Sequence, residues 1–154
     1  MRAPLTFLAP VRGTVVPLSG VPDPVFAEEI VGPGLAIEPD RTGPSEAVAP
    51  ISGVVAKLHP HAFVVQGADD RAALVHLGLD TVQLGGEGFT LLVAEGDEVA
   101  AGDPVVSWVP ADVAAGGRSP VCPVVALQGE PGSVTLLVEP GASVQPGDPV
   151  LEWA

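Results

Sequence analysis

Apolar and polar residues alternate along this chain in short runs, and each run is cut by glycine or proline before it reaches the length of an ordinary helix. The stretches Gly13–Leu18, Gly53–Leu58, His61–Val65, Ala73–Leu77, Val121–Leu127 and Val134–Val138 are rich in valine and other residues that suit a pleated surface. They predict strands. Two segments predict single helical turns instead. Asp23 can cap a turn that starts at Pro24, runs into Glu28 and Glu29 and ends at Gly32 and Gly34; Pro110 to Gly117 holds the other. Asp40 to Glu46 and Gly85 to Gly88 read as polar turns between strands. The expected class is all-β, an antiparallel sandwich or barrel.

Internal similarity refines that picture. Val93 to Trp108 aligns with Val138 to Trp153 at an offset of forty-five, with eight of sixteen positions identical, including both Gly-Asp-Pro-Val turns and both tryptophans. Ala9 to Leu18 is echoed by Ala49 to Leu58. A core of two similar halves follows, and residues 1–154 are read as one domain. The repeated unit resembles the hammerhead turns of biotinyl and lipoyl carrier domains. Such carriers attach their group to a lysine at a hairpin tip, and the sole lysine, Lys57, sits inside a predicted strand. The resemblance supplies shape, not function.

Composition excludes several functions. Nineteen acidic against six basic side chains give a formal charge of −13, which repels a phosphate backbone and draws in a partner with a basic face. Nucleic acid is therefore not an expected ligand. No run approaches the roughly 20 apolar residues needed to span a bilayer, and Met1 to Pro10 lacks the apolar stretch of a signal peptide. With Cys122 as the only cysteine, an internal disulfide is impossible. These features place the chain in a reducing cytoplasm, without insertion into a membrane. Gly85-Gly86-Glu87-Gly88 lacks the Lys and Ser/Thr of a phosphate-binding P-loop.

Chemistry concentrates on one predicted hairpin. The three histidines, His59, His61 and His76, all lie on or beside the strands joined by Gly67-Ala68-Asp69-Asp70. A two-residue loop at Ala68 and Asp69 sets His61 opposite His76, where facing Cβ atoms lie roughly 4.5–5.5 Å apart. Imidazole can act as a nucleophile, as a general acid or base near neutral pH, or as a metal ligand. The ligand reading groups His59, His61 and His76 with Asp80 or Asp69 around zinc, as in a zinc-dependent hydrolase. The nucleophile reading needs only the pair.

Val75-His76-Leu77-Gly78-Leu79-Asp80-Thr81-Val82, followed by Gly86-Glu87-Gly88-Phe89, closely resembles the active-site stretch of the glucose-type enzyme IIA family of the phosphoenolpyruvate-dependent sugar phosphotransferase system. Val21 to Glu28 matches the family's loop beside the site, Pro50-Ile51-Ser52-Gly53 its second turn, and His61-Ala62-Phe63 the strand with its second histidine. The resemblance implies a phosphocarrier whose His76 accepts a phosphoryl group from the carrier protein HPr and gives it to a sugar-specific IIB domain. It implies that His61 stabilises the phosphoryl group, and that Asp23, Val25, Phe26, Val31 and Asp80 meet the partners. No cofactor is implied in the free protein, although His61 and His76 could share a zinc ion with a partner. Regulatory targets that read the phosphorylation state are a further implied class of partner. Many members carry a threonine where this chain has His59, so the group that sets the tautomer of His76 is open, with His59 one candidate.

Overall fold

A computed structural model describes residues 3–154. Its strands are β1 (Leu5–Leu8), β2 (Gly13–Pro17), β3 (Gly34–Pro39), β4 (Ser45–Val48), β5 (Gly53–His59), β6 (Ala62–Gln66), β7 (Ala72–His76), β8 (Phe89–Leu91), β9 (Glu98–Val99), β10 (Pro104–Trp108), β11 (Cys122–Ala126), β12 (Val134–Leu136), β13 (Ser143–Val144) and β14 (Pro149–Trp153). Two short helices, α1 (Pro24–Ala27) and α2 (Pro110–Ala115), interrupt them. The strands form one eight-stranded sheet in the order β13-β2-β3-β11-β7-β6-β5-β9. Two three-stranded sheets, β1-β14-β12 and β4-β10-β8, complete the fold. Every pairing is antiparallel, and no sheet closes into a barrel, which removes that alternative and leaves the sandwich.

The predicted duplication is visible in the hydrogen bonds. Leu8 N donates to Pro50 O while Val48 N donates to Pro10 O, a reciprocal pair between positions forty residues apart. Val15 pairs with Ala142 and Gly141 in one half as Val55 pairs with Asp97 and Gly96 in the other. Both Gly-Asp-Pro turns are closed in the same way: Asp103 Oδ2 accepts from Ala100 N and Asp148 Oδ2 accepts from Gln145 N. The repeat is therefore a structural unit used twice.

Alternation within the strands decides what each face covers. Val15, Leu35, Ile37, Phe63, Val65, Ala73, Val75 and Val124 point inward and join Phe7, Trp108, Leu151 and Trp153 in the main core. The opposite face of the same sheet carries Val16, Ala36, Leu74 and Val125, and the Leu18–Val31 segment folds over them through Leu18, Val21, Phe26 and Val31. This second, smaller cluster holds α1 in place. Burying a side chain such as Phe26 there is worth about 1.5–3 kcal/mol, enough to fix a four-residue helix that propensity alone could not sustain.

Asp23 caps that helix as predicted, its Oδ1 accepting from Val25 N at 3.0 Å, with Pro24 at the first position. The turn stops earlier than expected. Ala27 is its last residue and Glu29 already has φ 56, so the chain reverses before Gly32.

Candidate functional site

The histidine hairpin forms, but its register is one residue away from the expected one. Ala62, not His61, faces His76, and the series continues with Phe63 opposite Val75 and Val65 opposite Ala73. The loop spans three residues: Gly67 N donates to Arg71 O at 2.8 Å around Ala68, Asp69 and Asp70, and both aspartates have positive φ. Two forces select this loop. Opposed residues share a face, so only this register places Phe63, Val65, Ala73 and Val75 together in the core. Arg71 is also buried, its guanidinium donating to Trp153 O and to Asp69 Oδ2, which anchors the end of the loop to the last strand.

His61 reaches His76 by another route. It lies in the two-residue turn Pro60-His61 between β5 and β6, where His59 pairs with Ala62. His61 O accepts from Leu77 N at 2.7 Å, which ties the turn to the residue after His76. The two ring centroids are 5.2 Å apart and the rings cross at 66°. The expected pair is thus present, built by a turn rather than by facing strand positions.

His76 stands on the outer face of the eight-stranded sheet, where Phe26 packs against it at 5.4 Å and 62°. Its Nδ1 is within hydrogen-bond distance of Gly78 O. A carbonyl can only accept, so Nδ1 carries the proton and Nε2 keeps its lone pair. The tautomer is therefore set by a backbone carbonyl and not by His59. Gly78 can offer that oxygen because it has φ 81, and a Cβ there would lie 2.7 Å from Thr81 Cγ2 and 3.0 Å from Ser119 O. Buried Thr81 fixes the turn further, its hydroxyl donating to Leu77 O at 2.8 Å.

Burial depresses the pKa of His76, and the Gly78 hydrogen bond and the charges of Asp23 and Asp80 only partly restore it. His61 is lowered too, first by burial and then by the neighbouring His76 and His59. Both rings are accordingly neutral at pH 7, the form that a nucleophile requires. In an NMR titration the ring protons of both residues are expected to show midpoints below 6.5, the ordinary histidine value. The folded state then binds fewer protons than the unfolded chain, so stability falls as pH drops below 6.5 and levels off once the folded rings have titrated. Midpoints above 6.5 would contradict the buried, neutral pair.

The remaining predicted residues divide by position. Val25 is exposed, Asp23 is half-buried and Asp80 is exposed at the head of a 3-10 turn, Thr81–Leu84. Phe26 corrects the expectation of a displayed docking residue, since it is 6% exposed and serves the inner side of the site against His76. Val31 is partly buried in the second cluster. Two neighbours were not singled out from sequence: Ile30 at 67% and Val82 at 62% exposure are more open than Val25. Ile30 lies between Glu29 and Val31, and Val82 follows Asp80 by two residues; the signal was a large apolar side chain close to an acidic residue. His59 is exposed and stacks on His61.

The proposed zinc set does not assemble. Asp69 lies at the opposite end of β6 from His61, in an ion pair with Arg71. Among the described residues no three His, Cys, Asp or Glu side chains converge to hold a metal ion. Cys122 is buried, and burial raises its thiol pKa far above the ordinary value, so it is no nucleophile.

A duplicated antiparallel β fold displays a pair of histidines whose pKa values are both lowered, and the comparisons make this class of protein a phosphohistidine carrier of the sugar phosphotransferase type. Comparison with known proteins gives the family. Residues 5–132 match the model of the phosphoenolpyruvate-dependent sugar phosphotransferase system, EIIA 1, and the chain belongs to that family. A glucose-specific EIIA component of Oceanobacillus iheyensis is 38% identical over 123 residues, 79% of this chain and 73% of the relative. One from Staphylococcus aureus is 40% identical over 123 residues, 79% of this chain and 72% of the relative. The solved structure of glucose permease IIA from Mycoplasma capricolum superposes with a TM-score of 0.84 at 36% identity, covering 98% of this chain and 96% of that one. The protein is a phosphocarrier and phosphotransferase component, and the zinc-hydrolase alternative is overturned.

Proposed function

We propose that His76 Nε2 is the atom that carries the phosphoryl group. The observation behind this reading is the Gly78 carbonyl on Nδ1, which leaves Nε2 as the unprotonated nitrogen. In the first transfer the N–P bond of phosphohistidine in HPr breaks as the Nε2–P bond forms on His76. In the second, that bond breaks as a cysteine sulfur of the IIB domain bonds to phosphorus. His76 keeps its proton on Nδ1, donated to Gly78 O, through both steps, so the ring neither gains nor loses that proton. No prosthetic group is needed, because both nitrogen sites are imidazoles and the sulfur is the partner's own.

The phosphoryl group brings about −1.5 to −2 charges at neutral pH. His61 sits where its ring N–H can meet the phosphoryl oxygens, and a donor preset on a rigid turn costs no reorganisation during transfer. Val25, Ile30 and Val82 are the exposed apolar side chains offered to partners, and half-buried Val31 packs beneath on the second cluster. Asp23 and Asp80 supply negative charge beside them, matched by basic groups on HPr and IIB. Their charges also raise the pKa of His76, which partly offsets its burial. Among the described residues no helix is long and apolar enough to cross a membrane, and the lone buried thiol suits a reducing compartment. We place the carrier in the cytoplasm, with its phosphorylation state open to other proteins that bind the same surface.

Incubation with phosphoenolpyruvate, enzyme I and HPr tests this directly. One acid-labile phosphate per chain, mapped to the peptide containing His76, is expected; an unlabelled protein would refute the reading.

A further inference from the structure

We propose that His59 is a positioning residue that acts through His61: its stacked ring fixes the plane in which His61 meets the phosphoryl group on His76. This rests on the assignment of His76 as the acceptor and concerns how the second histidine is held. The site contains a row of four rings, Phe26, His76, His61 and His59, with successive centroids 5.4, 5.2 and 5.6 Å apart. The first two contacts are crossed, at 62° and 66°, whereas His59 and His61 are stacked, at 26°.

The members of that row are held unequally. His76 is fixed by Phe26 on one side and by the Gly78 carbonyl. His61 sits in a turn and keeps two side-chain torsions, and among the described residues the rings in contact with its own are His76 and His59. The turn backbone is itself secured. Pro60 has a restricted φ and packs close to the 85–88 loop, since a Cβ on Gly86 would lie 3.2 Å from Pro60 Cγ. What the backbone leaves undetermined is the ring plane of His61, and the stack on His59 supplies that restraint. An aromatic pair of this kind is worth enough to favour one ring orientation several-fold. An N–H aimed before the phosphoryl group arrives stabilises the transition state more than one that must rotate into place.

The proposal predicts that an aromatic ring, not a histidine as such, is required at position 59. His59→Ala is expected to pass its phosphoryl group to IIB about fivefold more slowly than wild type. His59→Phe should restore the rate to within about twofold, because it keeps the stacked face. Cross-relaxation between the ring protons of His61 and His76, followed by NMR in the unphosphorylated protein, should weaken in the alanine variant and return in the phenylalanine variant. The proposal is overturned if His59→Ala transfers at the wild-type rate, or if His59→Phe is as slow as His59→Ala. It is also overturned if the cross-relaxation is the same in all three proteins. A wild-type protein that takes no phosphate would refute the acceptor assignment instead, and the NMR comparison would still report on the stack.

Discussion

His76→Gln is expected to take up no acid-labile phosphate from phosphorylated HPr, a loss of more than about a thousandfold in rate. An amide nitrogen has no available lone pair, so the variant lacks a nucleophile even though its size and polarity resemble the original. The substitution is mild elsewhere. The Gly78 carbonyl can still accept from the side-chain N–H₂, and Phe26 keeps its place in the second cluster. Circular dichroism and the thermal midpoint should therefore stay close to wild type while labelling disappears. If the variant were labelled, the phosphate would have to reside elsewhere, with half-buried His61 the first residue to map.

His61→Gln is expected to separate the two transfers. Acceptance from HPr exchanges one imidazole for another, and a glutamine N–H can still meet the phosphoryl oxygens, so labelling should stay within about tenfold of wild type. Delivery to IIB is different, because a thiolate must approach a group that already bears close to two negative charges. A histidine can take up a proton and offset that charge, which an amide cannot. Delivery is expected to fall about a hundredfold, the cost of removing one preset stabilising group from a transition state. Rapid-quench measurement of the two half-reactions distinguishes the outcomes. Equal loss in both would mean that His61 only shapes the site, and undiminished delivery would remove it from the chemistry.

Much of this site was legible before any coordinates. The His-Leu-Gly-Leu-Asp-Thr-Val stretch, the upstream His-Ala-Phe and the Asp-Pro-Val-Phe loop carry the family in their residue order. The duplication was legible too, because a repeated Gly-Asp-Pro-Val turn repeats the same carboxylate-to-backbone closure in both halves. Even the hairpin register could have been read correctly. Phe63, Val65, Ala73, Val75 and Leu77 must share the core face, and a two-residue loop would have set Phe63 against Leu74, which lies on the other side of the sheet. The turn residues suggested one loop length and the alternation of core residues demanded another. Burial prevailed, because a slipped register turns every side chain of a strand to the wrong face.

Residue order alone determined the all-β class, the repeated halves, the family and the choice of His61 and His76 as the candidate pair. Tertiary structure decided how those two rings meet, which nitrogen of His76 is free and which apolar residues stay exposed. Phe26 shows why. Its place in the sequence marks a loop beside the site, but only packing across β3, β7 and β11 turns it inward against His76 and leaves Val25, Ile30 and Val82 outward. Similarly, the Gly78 carbonyl reaches Nδ1 through a positive φ wedged between Thr81 and Ser119. Local sequence sets what each residue can do. Contacts between distant segments choose the side chain's direction, because core burial outweighs the small local preferences of a turn or a four-residue helix.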